Sequence, residues 1–266
     1  MSPALRVTRD GPFARVTLAR PEVRNAFNAE LIAELRTAFE ALAAEPPDAL
    51  RGVVLGGEGS VFCAGADVDW MRGAIGLSIE ENERDAAAMQ AMFVAIDECP
   101  VPVVARVQGA ALGGGMGLCA VSDIVVASAD ATFGFTETKL GIIPAVISTF
   151  VVPKIGESHA RALFLTGQRF DAERARLIGL VHDVVPDEGG LAERIEAVLT
   201  ELRSAGPTAT RLAKSLTHDL RDMPARDTRA ETVRRIARQR TTPEGQEGLS
   251  AFVEKRRPAW WLRRGS

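Results

Sequence analysis

The stretch "ALGGGMGLCAVSD" at residues 111–123 decides how this chain is interpreted, because three consecutive glycines lie between two apolar segments. The preceding segment, "PVVARVQGA" at 102–110, has the composition of a strand, and the following segment has the small apolar residues of a helix. A glycine loop that leads into a helix presents several unpaired N–H groups at the positive end of the helix dipole. The loop therefore predicts a site for a negatively charged oxygen, either on a phosphate or on a reacting carbonyl group.

Of these two ligands, the sequence gives less support to a phosphate. A P-loop requires Gly-Lys followed by Ser or Thr, whereas this chain has Gly115-Met116-Gly117 at that point. The dinucleotide fingerprint G-x-G-x-x-G also fails, because Leu118 stands where its third glycine is required. Close packing of a helix on a strand, with no ligand, stays open as an alternative explanation of the glycines.

Two further segments favour the carbonyl oxygen. The segment "GSVFCAGADVDWM" at 59–71 is a second glycine turn after an apolar strand, so each turn could aim one N–H at the same oxygen. The segment "ATFGFTETKLGIIP" at 131–144 places Glu137 among apolar residues. Desolvation there would raise the pKa of the carboxyl group to values useful for proton transfer, although pairing with Lys139 on the surface is an alternative.

Composition narrows the class of protein. The formal net charge of -3 over 266 residues gives no electrostatic reason to expect a nucleic acid or a membrane surface as partner. The three cysteines have no CxxC spacing, and no run of 18 apolar residues occurs, so we expect a cytoplasmic protein. Since neither a G-x-S-x-G nor an HExxH motif is present, we expect neither a Ser–His–Asp triad nor a metal site.

Hydrophobic periodicity predicts an α/β protein. Residues 13–18 alternate as in a strand, and Asn28 is placed to cap a helix that ends before the prolines at 46–47. Strands then alternate with helices, whereas from residue 192 onward the patterns are helical only. We therefore expect an α/β core at 1–195, which carries the site, and a helical region at 196–266.

Five segments in this order resemble the enoyl-CoA hydratase/isomerase (crotonase) superfamily: "RPEVRNAFNAELIAEL", "FCAGADVDWM", "PVVARVQGAALGGGMGLCAVSDIVVA", "FGFTETKLGIIPAV" and "TTPEGQEGLSAFVEKRRPAW". The resemblance covers nearly the whole chain. It implies a spiral of ββα units followed by a helical C-terminal region that forms trimers, and therefore a homotrimer or homohexamer. It also implies an acyl-CoA substrate and no cofactor beyond the coenzyme A of that substrate.

The resemblance also assigns site residues. It implies that the backbone N–H groups of Ala66 and Gly114 form an oxyanion hole for the thioester carbonyl, with Glu137 as the catalytic carboxylate. Positions that match substrate-binding or CoA-binding residues of the family are Arg24, Ala26, Ala64, Asp67, Val68, Gly113, Gly117, Thr136, Leu140, Phe252 and Lys255. Phe252 and Lys255 match C-terminal positions that can reach the CoA of a neighbouring subunit.

The sequence departs from the family's common hydratases at one catalytic position. Those hydratases carry a second glutamate where this chain has Gly117, and a proline where it has Thr136. A lone glutamate suits a Δ3,Δ2-enoyl-CoA isomerase, which moves one proton between carbons. Hydration by Glu137 alone is the leading hypothesis, isomerisation is the second, and a catalytically weak acyl-CoA-binding paralogue is the third.

The choice of substrate rests on a closer likeness. The segments "GADVDWM" and "IIPAVISTFVVPKIGE" look like those of bacterial methylglutaconyl-CoA hydratases of leucine degradation. Such a substrate carries a distal carboxylate of its own. We hypothesise that this carboxylate fills the space vacated at Gly117 or holds the attacking water.

Overall fold

The computed structural model describes residues 4–262, except for the side chain of Asp222. The strands are β1 Leu5–Asp10, β2 Phe13–Leu18, β3 Gly52–Gly57, β4 Val103–Val107, β5 Ala110–Leu112, β6 Ile124–Ser128, β7 Thr132–Gly134, β8 Arg169–Asp171 and β9 Asp183–Val185. The α-helices are α1 Ala29–Ala43, α2 Val68–Gly73, α3 Ile79–Asp97, α4 Gly114–Val121, α5 Ala145–Thr166, α6 Ala172–Leu177, α7 Glu188–Ser204, α8 Pro207–Asp222, α9 Ala225–Thr241 and α10 Pro243–Val253. Short 3-10 helices occur at Pro21–Val23 and Glu137–Leu140.

The strands form two sheets through which the chain winds. The larger sheet has six strands in the order β1-β2-β3-β4-β6-β9, and the smaller has three in the order β5-β7-β8. Neighbouring strands of the larger sheet are parallel, apart from the antiparallel hairpin of β1 and β2. Because β4 is followed by β5, and β6 by β7, these two turns of the chain each add one strand to each sheet. This spiral is the α/β architecture predicted from the sequence.

The first predicted elements are confirmed in detail. The strand expected at 13–18 is β2. The side chain of Asn28 accepts a hydrogen bond from the backbone N–H of Leu31 at 2.9 Å, which is the N-cap expected for α1. Strands β3 and β4 are buried along most of their length, because helices cover both faces of the larger sheet.

Helix α7 belongs to the core rather than to a separate helical region. Its residues Leu191, Ile195 and Leu199 pack with Val54 and Val104 of the larger sheet. The boundary expected between residues 195 and 196 therefore falls inside a helix that the sheet needs as a cover. Helical periodicity alone could not show this, because a helix that covers a sheet and a helix of an appendage have the same pattern. A division near residue 205 separates the sheets and their covering helices from α8, α9 and α10.

The C-terminal segment is fastened to the larger sheet by Arg51. This arginine is buried, and its guanidinium donates hydrogen bonds to the carbonyl oxygen of Arg203 at 3.0 Å and to that of Trp260 at 2.7 Å. The end of α7 and the segment after α10 therefore meet at one side chain.

Between residues 4 and 262, no helix is both long enough and apolar enough to cross a membrane.

Candidate active site

Two backbone turns come into contact at the entrance to α4. The first contains Gly65, with φ +94°, and the second contains Gly113, with φ +49°. A Cβ atom on Gly65 would lie 3.0 Å from the carbonyl oxygen of Leu112, so a side chain on the first turn would crowd the backbone of the second. Isolated parallel bridges between Cys63 and Ala111, and between Phe27 and Ala66, hold three chain segments side by side.

The bridge at Phe27 decides where the N–H of Ala66 points. The N–H of Phe27 donates to the carbonyl of Gly65 at 2.7 Å, and the N–H of Asp67 donates to the carbonyl of Phe27 at 2.9 Å. In a parallel pair, the residue between two such bonds directs its own N–H and C=O to the opposite side. The N–H of Ala66 therefore faces away from the backbone of Phe27, and Ala66 lines a cavity.

Each of the three consecutive glycines meets a separate steric requirement. Gly113 needs the conformation φ 49°, ψ −115°, which side-chain-bearing residues rarely adopt. A Cβ atom on Gly114 would lie 2.5 Å from Cε2 of Phe27, and one on Gly115 would lie 2.6 Å from the carbonyl oxygen of Cys63. The triplet lets α4 begin directly against the turn at Gly65. The alternative of close packing without a ligand thus accounts for the glycines in part, although it leaves two donors unused.

The residues that carry those two donors line the same cavity. Gly114 is the first residue of α4, so its N–H has no acceptor within the helix. Among the described residues, neither the N–H of Gly114 nor that of Ala66 donates to another backbone group. The cavity that both residues line has a volume of about 460 Å³. Large apolar side chains form much of its wall, among them Phe27, Trp70, Met71, Met89, Ile143 and Ile147.

Glu137 supplies the carboxyl group of this cavity. It begins the 3-10 helix Glu137–Leu140, and its Oε1 lies 3.4 Å from the position that a Cβ on Gly113 would take. Its Oε2 is buried and has no hydrogen-bond partner in the described part of the chain. Burial raises the pKa of Glu137 above its ordinary value, against a smaller opposing effect from its own backbone N–H. A carboxyl group with a raised pKa and a free oxygen is suited to both accepting and donating a proton.

Asp67 supports the turn rather than lining the cavity. Its carboxylate accepts a hydrogen bond from Arg20 Nη2 at 2.7 Å and caps α2 by accepting from the N–H of Asp69 at 2.8 Å. Burial opposes ionisation of Asp67, but these bonds together hold its pKa below the usual value. Arg20 also donates to the carbonyl oxygen of Ala26 at 2.5 Å. Arg20 therefore ties Asp67, the residue after Ala66, to Ala26, the residue before Phe27.

The structure brings together part of the predicted site. Of the predicted residues, those that line the cavity are Ala64, Ala66, Gly113, Gly114, Thr136, Glu137 and Leu140. Those that lie outside it are Arg24, Ala26, Asp67, Val68, Gly117, Phe252 and Lys255. The carbonyl oxygen of Arg24 accepts a hydrogen bond from the N–H of Ala64 at 3.0 Å, so Arg24 lies next to a residue of the cavity wall. Phe252 is 84% exposed at the end of α10, and Lys255 is exposed beyond it.

Gly117, which was predicted to contribute to substrate binding, does not line the cavity. Gly117 is buried, and a Cβ atom on it would lie 2.5 Å from Cγ2 of Ile147 and 2.6 Å from Cζ of Phe93. The ring of Phe93 is itself held by edge-on packing against Phe27, at 6.2 Å between ring centroids. The missing glutamate has therefore left no vacant space, because two apolar side chains fill its place. The packing therefore gives no support to the hypothesis that a substrate carboxylate occupies that space.

Sequence reasoning missed the contribution of α3 to the cavity. Asn82, Asp85, Ala86 and Met89 all line it. They recur at the spacing of one helical face, but the acidic start of this helix has the composition of a solvated surface. Only the packing of α3 beside the two turns distinguishes the cavity face from the solvent face.

Comparisons with known proteins agree with this fold. Residues 9–263 match the model of the family described as enoyl-CoA hydratase/isomerase, and the chain belongs to that family. It is 37% identical over 248 residues to a putative enoyl-CoA hydratase of Thermus thermophilus, covering 93% of this chain and 97% of the relative.

Solved structures give the same result. An enoyl-CoA hydratase of Shewanella pealeana superposes with a TM-score of 0.91 at 37% identity, covering 97% of this chain and 96% of the other. The protein AtuE of Pseudomonas aeruginosa superposes with a TM-score of 0.93 at 38% identity, covering 97% of this chain and 100% of the other. The fold is therefore the crotonase fold, and the chain is an enzyme of this family.

Substitution of Gly117 tests whether its side-chain space is filled. We expect Gly117→Ala to lower the free energy of unfolding by about 1–3 kcal/mol, the usual cost of overpacking a core. Denaturant titration measures this change. Gly73→Ala is the matched control, because nothing lies within 4 Å of a Cβ there. The additional substitution Phe93→Leu should reduce the effect of Gly117→Ala, and a fully stable Gly117→Ala variant would contradict the packing described above.

The raised pKa of Glu137 predicts a stability effect with a definite sign. A carboxyl group whose pKa is raised by folding stabilises the protein while it is protonated, and this contribution is lost as the pH rises through the pKa of the folded state. Glu137→Gln should therefore raise the melting temperature at pH 7, and the gain should shrink below the ordinary pKa of 4.5. Thermal unfolding from pH 4 to pH 8 measures it. The exposed Glu83→Gln controls for loss of one charge, and a destabilised Glu137→Gln at pH 7 would contradict the account.

Proposed function

We propose that this protein catalyses the reversible addition of water to a 2-enoyl-CoA thioester, with Glu137 as the only carboxyl group that moves protons. The observation that carries this proposal is the position of Glu137, which lines an apolar cavity together with Ala66 and Gly114, two residues whose N–H groups have no backbone acceptor in the described part of the chain. Membership of the enoyl-CoA hydratase/isomerase family supports the same class of substrate.

The two N–H groups act on the thioester carbonyl. In this mechanism both donate to its oxygen, and the hydrogen bonds strengthen as negative charge develops on that oxygen in the enolate. The donors are fixed by the backbone bridges at Phe27 and Cys63, so they need little reorganisation during the reaction. The low polarity of the surrounding wall increases their effect on the developing charge.

Glu137 carries the proton between water and carbon. Its carboxylate removes a proton from water as the water oxygen bonds to C3, and the electron pair of the double bond moves to C2 and the carbonyl. The protonated Glu137 then returns that proton to C2, so the product contains one added water and the enzyme is unchanged. The raised pKa of Glu137 brings its proton affinity nearer to the working pH, which favours both transfers.

Isomerisation of a 3-enoyl-CoA is the second candidate, and the environment of Gly117 favours it. Phe93 and Ile147 occupy the place of a second carboxylate, so no further acid at that position holds a water molecule. Glu137 would remove a proton from C2 and return it to C4 through the same enolate. This reaction needs one acid–base group and no bound water.

The proposals for the acyl group and for the assembly rest on sequence similarity. Methylglutaconyl-CoA is a test substrate because two segments resemble those of its hydratases, and the filled space at Gly117 does not support it. We also propose a homotrimer or homohexamer, in which Phe252 and Lys255 would approach the CoA of a neighbouring subunit. The exposure of Phe252 supports this proposal, and light scattering of the purified protein measures the mass of the assembly.

A turnover assay tests the proposed reaction. Crotonyl-CoA, methylglutaconyl-CoA and 3-hexenoyl-CoA are each incubated with the protein, and both hydrated and isomerised products are followed. Glu137→Gln should lower kcat/KM by about 10²–10⁴, the usual contribution of a positioned acid–base group, whereas Glu83→Gln should not. The acid limb of the wild-type pH profile should lie above the ordinary pKa of 4.5. Equal turnover by Glu137→Gln would contradict the role of Glu137, and no turnover of any thioester would favour the weak acyl-CoA-binding paralogue.

A further inference from the structure

The charges around the cavity all have one sign. The charged side chains that line it, among the residues the structure describes, are Glu137 and Asp85, and both are acids. No lysine, arginine or histidine side chain lines it in that part of the chain. A carboxylate at the end of an acyl chain would enter this cavity without a cation to neutralise it, which is costly in an apolar environment.

Asp85 is the acid that the proposed reaction leaves unused. It lies on α3, in a wall that the main cavity shares with a neighbouring cavity of about 250 Å³. Its carboxylate, which is half-buried, forms no hydrogen bond or ion pair with another residue that the structure describes. Arg36 also lines the neighbouring cavity, but its guanidinium is engaged by Glu40 at 2.7 Å.

Asn82 adds a second acceptor to the same wall. It precedes Asp85 by three residues, so the two side chains share one face of α3. The Nδ2 group of Asn82 donates to the carbonyl oxygens of Leu77 at 3.3 Å and Ser78 at 2.9 Å. Because both bonds use the nitrogen, the amide oxygen is the group left for a ligand. The α3 wall therefore offers acceptors and a negative charge.

We propose that Asp85 determines acyl-group selectivity by excluding thioesters whose acyl chain ends in a carboxylate. The enzyme accepts chains that end in an uncharged group, including a hydroxyl group, which can donate to Asp85. Discrimination arises from repulsion of the disfavoured ligand rather than from new contacts with the favoured one. This inference rests on the proposed function, which makes the cavity the binding site of the acyl group. It argues against methylglutaconyl-CoA as the substrate.

Binding of two saturated thioesters tests the inference without catalysis. Hexanoyl-CoA and adipoyl-CoA have acyl chains of equal carbon number and differ by a terminal carboxylate. We expect calorimetry at pH 7 to give a Kd for adipoyl-CoA at least about ten-fold higher than that for hexanoyl-CoA, as repulsion between like charges in a cavity predicts. In Asp85→Asn this ratio should fall several-fold, and in Asp85→Lys it should fall further or invert.

Glu83→Gln is the matched control, because it removes the same charge from the exposed surface of the same helix. Its ratio of the two Kd values should equal that of the wild type. Equal binding of both thioesters by the wild type, or an unchanged ratio in Asp85→Asn, would overturn the role of Asp85 and leave the proposed reaction intact. If neither thioester binds, the proposed function itself is overturned, and the inference with it.

Discussion

The contact between the backbone turns at Gly65 and Gly113 is the constraint on which the site depends. It brings Ala66 and Gly114, which are far apart in sequence, to the wall of one cavity. The parallel bridges at Phe27 and Cys63 hold the turns, and the ion pair of Arg20 with Asp67 holds the first turn from outside. A side chain at Gly114 or Gly115 would clash with Phe27 or with the backbone of Cys63, and a side chain at Gly113 would strain the backbone at φ +49°.

Glu137 shows how this site exchanges stability for reactivity. Its carboxyl group lies in an apolar cavity with one oxygen unpartnered, which disfavours its ionised form in the folded protein. The same environment raises its proton affinity and strengthens the hydrogen bonds that await a developing oxyanion. The stability lost at Glu137 and the chemistry gained there have one physical cause.

Local patterns predicted the elements well, and contacts between distant segments account for what they missed. Strand β2 and the cap at Asn28 follow from periodicity and side-chain chemistry within a few residues. The space beside Gly117 is filled by Phe93 and Ile147, which belong to two other helices, so local sequence could not show that it is filled. The role of Asp85 depends on which face of α3 meets the cavity, and the assignment of α7 to the core depends on its contact with the sheet.

The central claim is that Glu137 exchanges a proton with C2 of a thioester whose carbonyl oxygen is bound by Ala66 and Gly114. Incubation of butyryl-CoA with the protein in D₂O tests it most directly, because the saturated thioester cannot be hydrated. The account predicts that mass spectrometry finds deuterium at C2 with the wild type and only the uncatalysed background with Glu137→Gln. Deuterium incorporation at the same rate with both proteins would contradict it.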